Sequence, residues 1–324
     1  MSSKSKPLAS LSLDLDNLWA YMKTHGDPDW EDFPSYLDVV VPRILAFLAE
    51  RRLTITFFIV GQDAALAKNA SALAAIAAAG HEIGNHSFRH EPWLHLYPAD
   101  ELEDEIANAE QAIEAATGQR PVGFRGPGFS LSAATLAVLK RRGYRYDAST
   151  FPTFLGPLAR AYYFLAAGLS KEERKRRKHL FGSLGEGLRP NRPYRWRLAD
   201  GPLTELPVTT MPGFKVPIHL SYLIYLAGHS PAVARLYFRT ALSLCRVAGV
   251  QPSLLLHPLD FLGADDVHAL GFFPGMTVPA ERKLAWVDGF LADYARRFDV
   301  VAMGRHVDAL EATTALPLVE PRFH

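Results

Sequence analysis

The residues able to do chemistry fall in five short clusters, and each cluster follows a run that reads as a β-strand. The first is Asp14-Leu-Asp16, at the end of the strand reading Leu11–Leu15. Side chains two apart in an extended segment share a face, so both carboxylates can reach one site. Burying two such charges behind an apolar strand is costly without a cation. The second cluster is His86-Ser-Phe-Arg-His90, after the strand reading His81–Asn85. Histidines four apart lie on one face of a helical turn and can bind a single ion. With Asp16 they make a two-histidine, one-carboxylate set with positions open for water and substrate. Zn²⁺ suits that set for hydrolysis, and Fe²⁺, Co²⁺ or Mn²⁺ fit the same donors.

The third cluster is Arg125-Gly-Pro-Gly-Phe-Ser130, a tight turn whose N–H groups can point into a cleft beside a fixed cation. The fourth and fifth are Asp147-Ala-Ser149 and His257-Pro258. Taken singly, each has an ordinary structural reading, such as a solvated loop carboxylate, a βα turn or a core histidine. Their shared position after strands carries the functional reading, because a barrel presents catalytic groups at the C-terminal ends of its strands.

The elements that must position these residues alternate between short β-type runs and longer helical patterns, as in βα units around a parallel sheet. Strands are expected at 11–15, 53–60, 81–85, 121–124, 144–146, 203–208, 253–256 and 300–303. The run Leu53–Val60 is continuously apolar, as in a strand buried on both faces. Helices are expected at 36–51, 63–79, 99–117, 132–142, 232–248 and 280–297. Glycine closes several of these, as at Gly80, Gly118 and Gly249, where a helix C-terminus favours it.

The chain has 324 residues, 48% of them hydrophobic and 21% charged, which excludes a disordered, collagen-like or coiled-coil chain. Lys and Arg number 35 against 34 Asp and Glu, so no global field attracts nucleic acid, and no reading motif accompanies one. The single cysteine, Cys245, makes neither an intramolecular disulfide nor a cysteine-type zinc site. No apolar run follows the N-terminal lysines and the longest uncharged stretch is a poor bilayer span, so a cytoplasmic protein is expected. The rhythm breaks between about residues 151 and 201. From Arg160 to Arg197 there are eleven Lys or Arg and three Glu, and this segment reads as an insertion. It is either a solvated face or a basic arm that meets an anionic partner such as phospholipid or a phosphorylated substrate, with Trp196 able to touch a headgroup or simply to cover the insertion.

Together the five motifs, with the framework Thr56-Phe-Phe-Ile-Val-Gly61 and Gly80-His-Glu-Ile-Gly-Asn85, make the chain resemble the polysaccharide deacetylase family. These are metal-dependent carbohydrate N-deacetylases of the chitin and peptidoglycan deacetylase type. The resemblance covers about residues 11–150 and resumes near 203–207 and 252–258. It implies an α/β fold, an irregular (β/α) barrel of seven strands, here one domain over 1–324 with the basic insertion. Two departures bear on the substrate. One leucine separates the aspartates of the first motif, as in a branch with bacterial peptidoglycan deacetylase-like proteins and lipid-linked aminoarabinose deformylases. The insertion, too, has no place in the minimal pattern.

The resemblance implies metal-assisted hydrolysis of an N-acyl, most simply N-acetyl, group on an amino sugar or its polymer. Asp16, His86 and His90 would hold one divalent ion, first of all Zn²⁺. Asp14, kept ionised by Arg125, would be the general base. The backbone N–H of Phe129 would help stabilise the oxyanion. His257, oriented or made more basic by Asp147, would protonate the leaving amine. The alternative within enzymes is a deformylase or deacetylase of a polyprenyl-phosphate-linked sugar at the cytoplasmic membrane face. Outside enzymes, it is a non-catalytic carbohydrate-binding relative.

Overall fold

The computed structural model describes residues 6–156, 184–313 and 315–323. Its described residues build a mixed α/β fold around a curled, half-barrel sheet. The strands, in chain order, are β1 (Leu8–Leu15), β2 (Thr56–Ile59), β3 (Glu82–Asn85), β4 (Gly123–Phe124), β5 (Tyr146–Asp147), β6 (Tyr194–Trp196), β7 (Leu203–Glu205), β8 (Ser253–Leu256), β9 (Asp299–Val301) and β10 (Leu318–Val319). Their spatial order is β10-β6-β7-β5-β4-β3-β2-β1-β8, with β9 paired to the start of β1. The described strands therefore number ten rather than the seven expected. The neighbours from β7 to β8 in this order all run parallel, while β6 is antiparallel to β7.

β1 is the centre. Leu13 pairs with Phe57 of β2 on one side and with Leu256 of β8 on the other. Leu11, Leu13 and Leu15 are completely buried in the largest apolar cluster, with Ile44 and Leu48 from the helix Leu37–Glu50. The far edges of the sheet approach one another: the Thr209 N–H, just beyond β7, donates to Ser253 O of β8 at 2.9 Å. The Ser253 N–H returns a bond to Thr209 Oγ1, also at 2.9 Å. Because the neighbours are parallel and the sheet curls, the C-terminal strand ends gather at one mouth.

Two departures from the sequence reading have local causes. The segment 63–79 is not one helix, because Leu66 is extended (φ −92°, ψ 117°) between Gly61–Ala65 and Ala70–Ala78. Asn69 turns back there to donate to the Asp63 carboxylate and carbonyl. The helix Leu220–His229 lies in an apolar stretch without polar periodicity, and was not expected.

Of the basic insertion, the run 171–178 lies outside the described residues. The described end of it is not a free basic arm. β6 joins the sheet, and Arg189, Arg195 and Arg197 pair with Glu186, Glu311 and Glu320. Trp196 is fully buried and donates through Nε1 to Glu205 at 2.9 Å, so it reaches no headgroup. Among the described residues, no helix is long and apolar enough to cross a membrane.

Candidate functional site

Asp14 and Asp16 occupy the end of β1, buried at 4% and 8% exposure. His86 follows β3 and is 2% exposed. The expected helical turn between His86 and His90 does not form. Ser87 (φ 63°) and His90 (φ 52°) adopt left-handed backbone, and the chain bends sharply. Side chains make up for the missing helical bonds. The Ser87 N–H donates to Asn85 Oδ1 and the His90 N–H to Ser87 Oγ. The Phe88 and Arg89 N–H groups both donate to Glu105, from the helix Ala99–Thr117. The bend brings the two rings to 5.0 Å between centroids.

Both Nε2 atoms converge on one oxygen. Asp16 Oδ1 lies 3.0 Å from His90 Nε2 and 3.3 Å from His86 Nε2. The three donor atoms lie within 4.8 Å of one another. His86 Nδ1–H donates to Arg125 O at 2.6 Å, which leaves its Nε2 as the lone-pair nitrogen. A lone pair facing a carboxylate oxygen at that distance repels unless a proton or cation lies between them. Burial opposes charge on Asp16, but His90 and His86 outweigh it and hold its pKa well below the usual carboxylate range. Burial likewise opposes charge on His86, and the Asp14 and Asp16 carboxylates raise its pKa in spite of it. A tetrahedron with bonds of about 2.0–2.1 Å has edges of about 3.3–3.4 Å, so the donor spacing fits a small divalent cation. Tyr21, which the sequence did not single out, donates to Asp16 Oδ2 at 3.3 Å.

Arg125 is fully buried and fulfils its expected contact. Its guanidinium donates to Asp14 Oδ1 at 2.6 Å, Ser12 Oγ at 2.9 Å and Ala148 O at 3.0 Å, and lies over the Phe58 ring. The other oxygen, Asp14 Oδ2, is 4.0 Å from His86 Nε2, which sets Asp14 beside the Asp16–His86–His90 cluster.

Two expected roles need correction. Asp147 has no contact with His257 among the described residues. It accepts from Ser149 Oγ at 2.6 Å, and Ser149 Oγ in turn accepts from the Gly126 N–H at 2.8 Å. Asp147 thus pins the Arg125–Ser130 turn. It also faces Glu205 across the β5–β7 pair; burial raises both pKa values, and the Asp147 charge raises that of Glu205 further. The reason is topological: β5 and β7 are neighbours, whereas β8 lies at the other end of the parallel run. The second correction concerns Phe129. Its N–H already donates to Gly126 O at 2.9 Å, closing the tight turn, so it is engaged rather than presented to an oxyanion. The Phe129 ring instead starts an aromatic row: it stacks on Phe151 (4.9 Å), which meets His219 (5.6 Å), which faces His257 (6.3 Å).

His257 follows β8 as expected, but its Nδ1 partner is Ser221 Oγ at 2.9 Å. Its own N–H donates to Asp260 Oδ2 at 2.8 Å. Asp260, three residues after His257, was legible as a turn-capping carboxylate; Ser221 and His219 carried no signal.

Residues 30–146 match the family model described as polysaccharide deacetylase. Over this stretch the chain is similar to the polysaccharide deacetylase family. That segment contains His86, His90, Arg125 and Phe129, while Asp14, Asp16, Asp147 and His257 lie outside it. The chain is 27% identical over 146 residues to a peptidoglycan deacetylase of Helicobacter pylori, covering 44% of this chain and 49% of that protein. It is 32% identical over 112 residues to the peptidoglycan-N-acetylmuramic acid deacetylase PdaA of Bacillus subtilis, covering 34% of this chain and 41% of that protein. The chain thus spans about half, or less, of the length of these relatives. A crystal structure of a polysaccharide deacetylase candidate from Mycobacterium smegmatis shares the fold, with a TM-score of 0.66 at 21% identity, covering 100% of this chain and 96% of that one.

Proposed function

We propose that the protein is a metal-dependent amidohydrolase that removes an N-acyl group, most simply N-acetyl, from an amino sugar or its polymer. One observation carries the reading: two imidazole nitrogens and a carboxylate oxygen converge beside a second carboxylate that is paired with a buried arginine. Asp16, His86 and His90 would hold the divalent ion, with Zn²⁺ the first choice for hydrolysis. When bound, the ion polarises the acyl carbonyl and makes nearby water more acidic.

The chain's own groups supply the proton transfers. Asp14 keeps Oδ1 on Arg125 and has Oδ2 toward the cluster, so Oδ2 takes the proton of the attacking water. His257 Nε2 gives a proton to the departing amine as the C–N bond breaks. Such general acid and base groups each contribute about 10²–10⁴-fold. The names of the relatives direct the first screen to N-acetylated glycan strands. A lipid-linked substrate draws little support from the described part of the insertion, where Arg189, Arg195 and Arg197 are paired with glutamates and Trp196 is buried.

The test is acetate release from N-acetylated amino-sugar oligomers and glycan strands, with wild type and Asp14→Asn side by side. Asp14→Asn is expected to keep its metal and lose about 10²–10⁴-fold in kcat. Equal turnover by the two proteins would remove Asp14 as the base. Absence of turnover in metal-loaded wild type across N-acetyl and N-formyl sugars would overturn the proposal.

A further inference from the structure

The outer face of the helix Pro231–Ala248 belongs to none of the five motifs. Its inner side, with Ala234, Phe238, Ala241, Leu242 and Cys245, sits in the largest apolar cluster. Opposite them run Val233, Leu236, Thr240, Ser243 and Val247, spaced three and four apart and so aligned in one stripe. Val233, Leu236 and Val247 are 61%, 67% and 87% exposed. The two hydroxyls between them are already engaged. Thr240 Oγ1 donates to Leu236 O at 2.9 Å, and Ser243 Oγ donates to Arg239 O at 2.8 Å. The stripe can therefore leave water without orphaning a side-chain donor.

Along one flank of the stripe lies a cluster of arginines. Asp293, fully buried in the helix Ala280–Arg297, meets Arg235 Nε at 2.8 Å and Arg239 Nε at 2.9 Å. Arg296 and, at 3.9 Å, Arg297 approach the same carboxylate. Burial opposes charge on Asp293, and the Arg239 and Arg235 contacts outweigh it and lower its pKa. Among the described residues, no second carboxylate pairs with any of these four guanidiniums. Arg246 continues the row near the helix end, where it donates to Arg297 O at 3.4 Å. The sequence has no Asp or Glu between Glu205 and Asp260, so the helix itself brings no counter-charge.

We infer that this face docks on an anionic phospholipid bilayer, with Val233, Leu236 and Val247 entering the headgroup boundary and the arginine row pairing with lipid phosphates. Charge and shape select this occupant. Guanidiniums present planar forks that match phosphate oxygens, and one carboxylate cannot balance four of them. A second copy of the chain would bring the same unmatched cations to the contact. The stripe carries no aromatic anchor, the residue type on which protein partners concentrate their binding. Three short aliphatic side chains beside arginines instead suit the shallow burial of a helix lying in the interface plane. This surface is separate from the basic insertion and from the chemistry proposed at the mouth.

Sedimentation of the full-length protein with vesicles tests the inference. The vesicles are phosphatidylcholine alone, or equal parts phosphatidylcholine and phosphatidylglycerol. Binding is expected to the anionic vesicles only, and to fall steeply between about 0.1 and 0.5 M salt. The double variant Arg235→Gln/Arg296→Gln leaves Arg239 and Arg297 to pair Asp293, and is expected to weaken binding about tenfold. Leu236→Asn is expected to weaken it about fivefold. The basic run 171–178 is the competing source of such binding. Binding that is unchanged in Arg235→Gln/Arg296→Gln and lost in Arg176→Gln/Arg177→Gln would overturn the inference.

A dye placed on the stripe reads the contact directly. Leu236→Cys can be labelled selectively with an environment-sensitive dye, because Cys245 is fully buried. Its emission is expected to shift to the blue on anionic vesicles. The same dye at Val39, exposed on the helix Leu37–Glu50, is expected to stay unchanged. A Leu236 dye left in water on bound protein, or equal binding to both vesicle types, would overturn the inference. Binding to neither would overturn it as well, and would leave an acidic protein as the partner to seek. Vesicle binding and sugar hydrolysis are read separately, so the failure of one does not decide the other.

Discussion

Separating Arg125 from Asp14 is the perturbation with the clearest expected size. Arg125 is completely buried and Asp14 is 4% exposed, so water screens neither charge. Replacing Arg125 with methionine keeps most of the volume but leaves the Asp14 carboxylate without its guanidinium partner, with His86 Nε2 still 4.0 Å away. It also strips donors from Ala148 O and Ser12 Oγ. Breaking a buried ion pair from one side costs about 3–5 kcal/mol. Asp14→Asn keeps a neutral acceptor for the guanidinium, so its cost is the smaller worth of a charged hydrogen bond, about 1.5–3 kcal/mol. The double variant carries no uncompensated charge. It is expected to cost about 2–3 kcal/mol less than the sum of the singles. Urea unfolding of all four proteins in chelator measures this cycle without a contribution from bound metal. At a slope of about 3 kcal/mol per M, Arg125→Met alone moves the midpoint by about 1–2 M. Costs that add to within about 0.5 kcal/mol would mean that Arg125 and Asp14 are not coupled, and would refute the buried ion pair as a stabilising unit.

Two further outcomes follow from the same packing. Gly126 is needed for space rather than for its backbone angles, since an added Cβ would lie 2.0 Å from Ser130 O. Gly126→Ala is expected to cost about 1–3 kcal/mol in thermal or urea unfolding, and an unchanged midpoint would contradict the turn as described. His306 is fully buried between Ser10 Oγ and Gln251 Oε1, and burial lowers its pKa to about 4. Its unfolded value is about 6.5, so the unfolded chain binds the proton that the native state refuses. The stability contributed by neutral His306 is therefore complete above about pH 6.5 and falls by about 3 kcal/mol as the pH drops to about 4. Relative to wild type, His306→Gln is expected to show a shallower loss over that window. Parallel stability curves for the two proteins would contradict it.

What was legible in the sequence is the part set by strand ends. A parallel sheet sends all C-terminal ends to one mouth, so Asp14, Asp16, His86 and Arg125 could be placed together from strand signals alone. Local backbone was less legible. The four-residue spacing of His86 and His90 suits a helical turn as well as the observed bend, and only the left-handed angles at Ser87 and His90 distinguish them. Partners far apart in sequence were not legible at all. Asp147 meets Glu205 because β5 pairs with β7, and His257 meets Ser221 because an apolar helix without polar periodicity packs beside β8. The choice between the two readings of Trp196 was open for a similar reason, since its burial depends on the pairing of β6 with β7.

The measurement that bears most directly on the account is the metal content of the full-length protein, purified without chelator. Mass spectrometry would compare wild type with Asp16→Ala and His86→Ala. The geometry predicts about one divalent ion per chain in wild type and its loss in both variants. No ion in wild type after reconstitution with divalent metals, or an ion retained in both variants, would contradict the site.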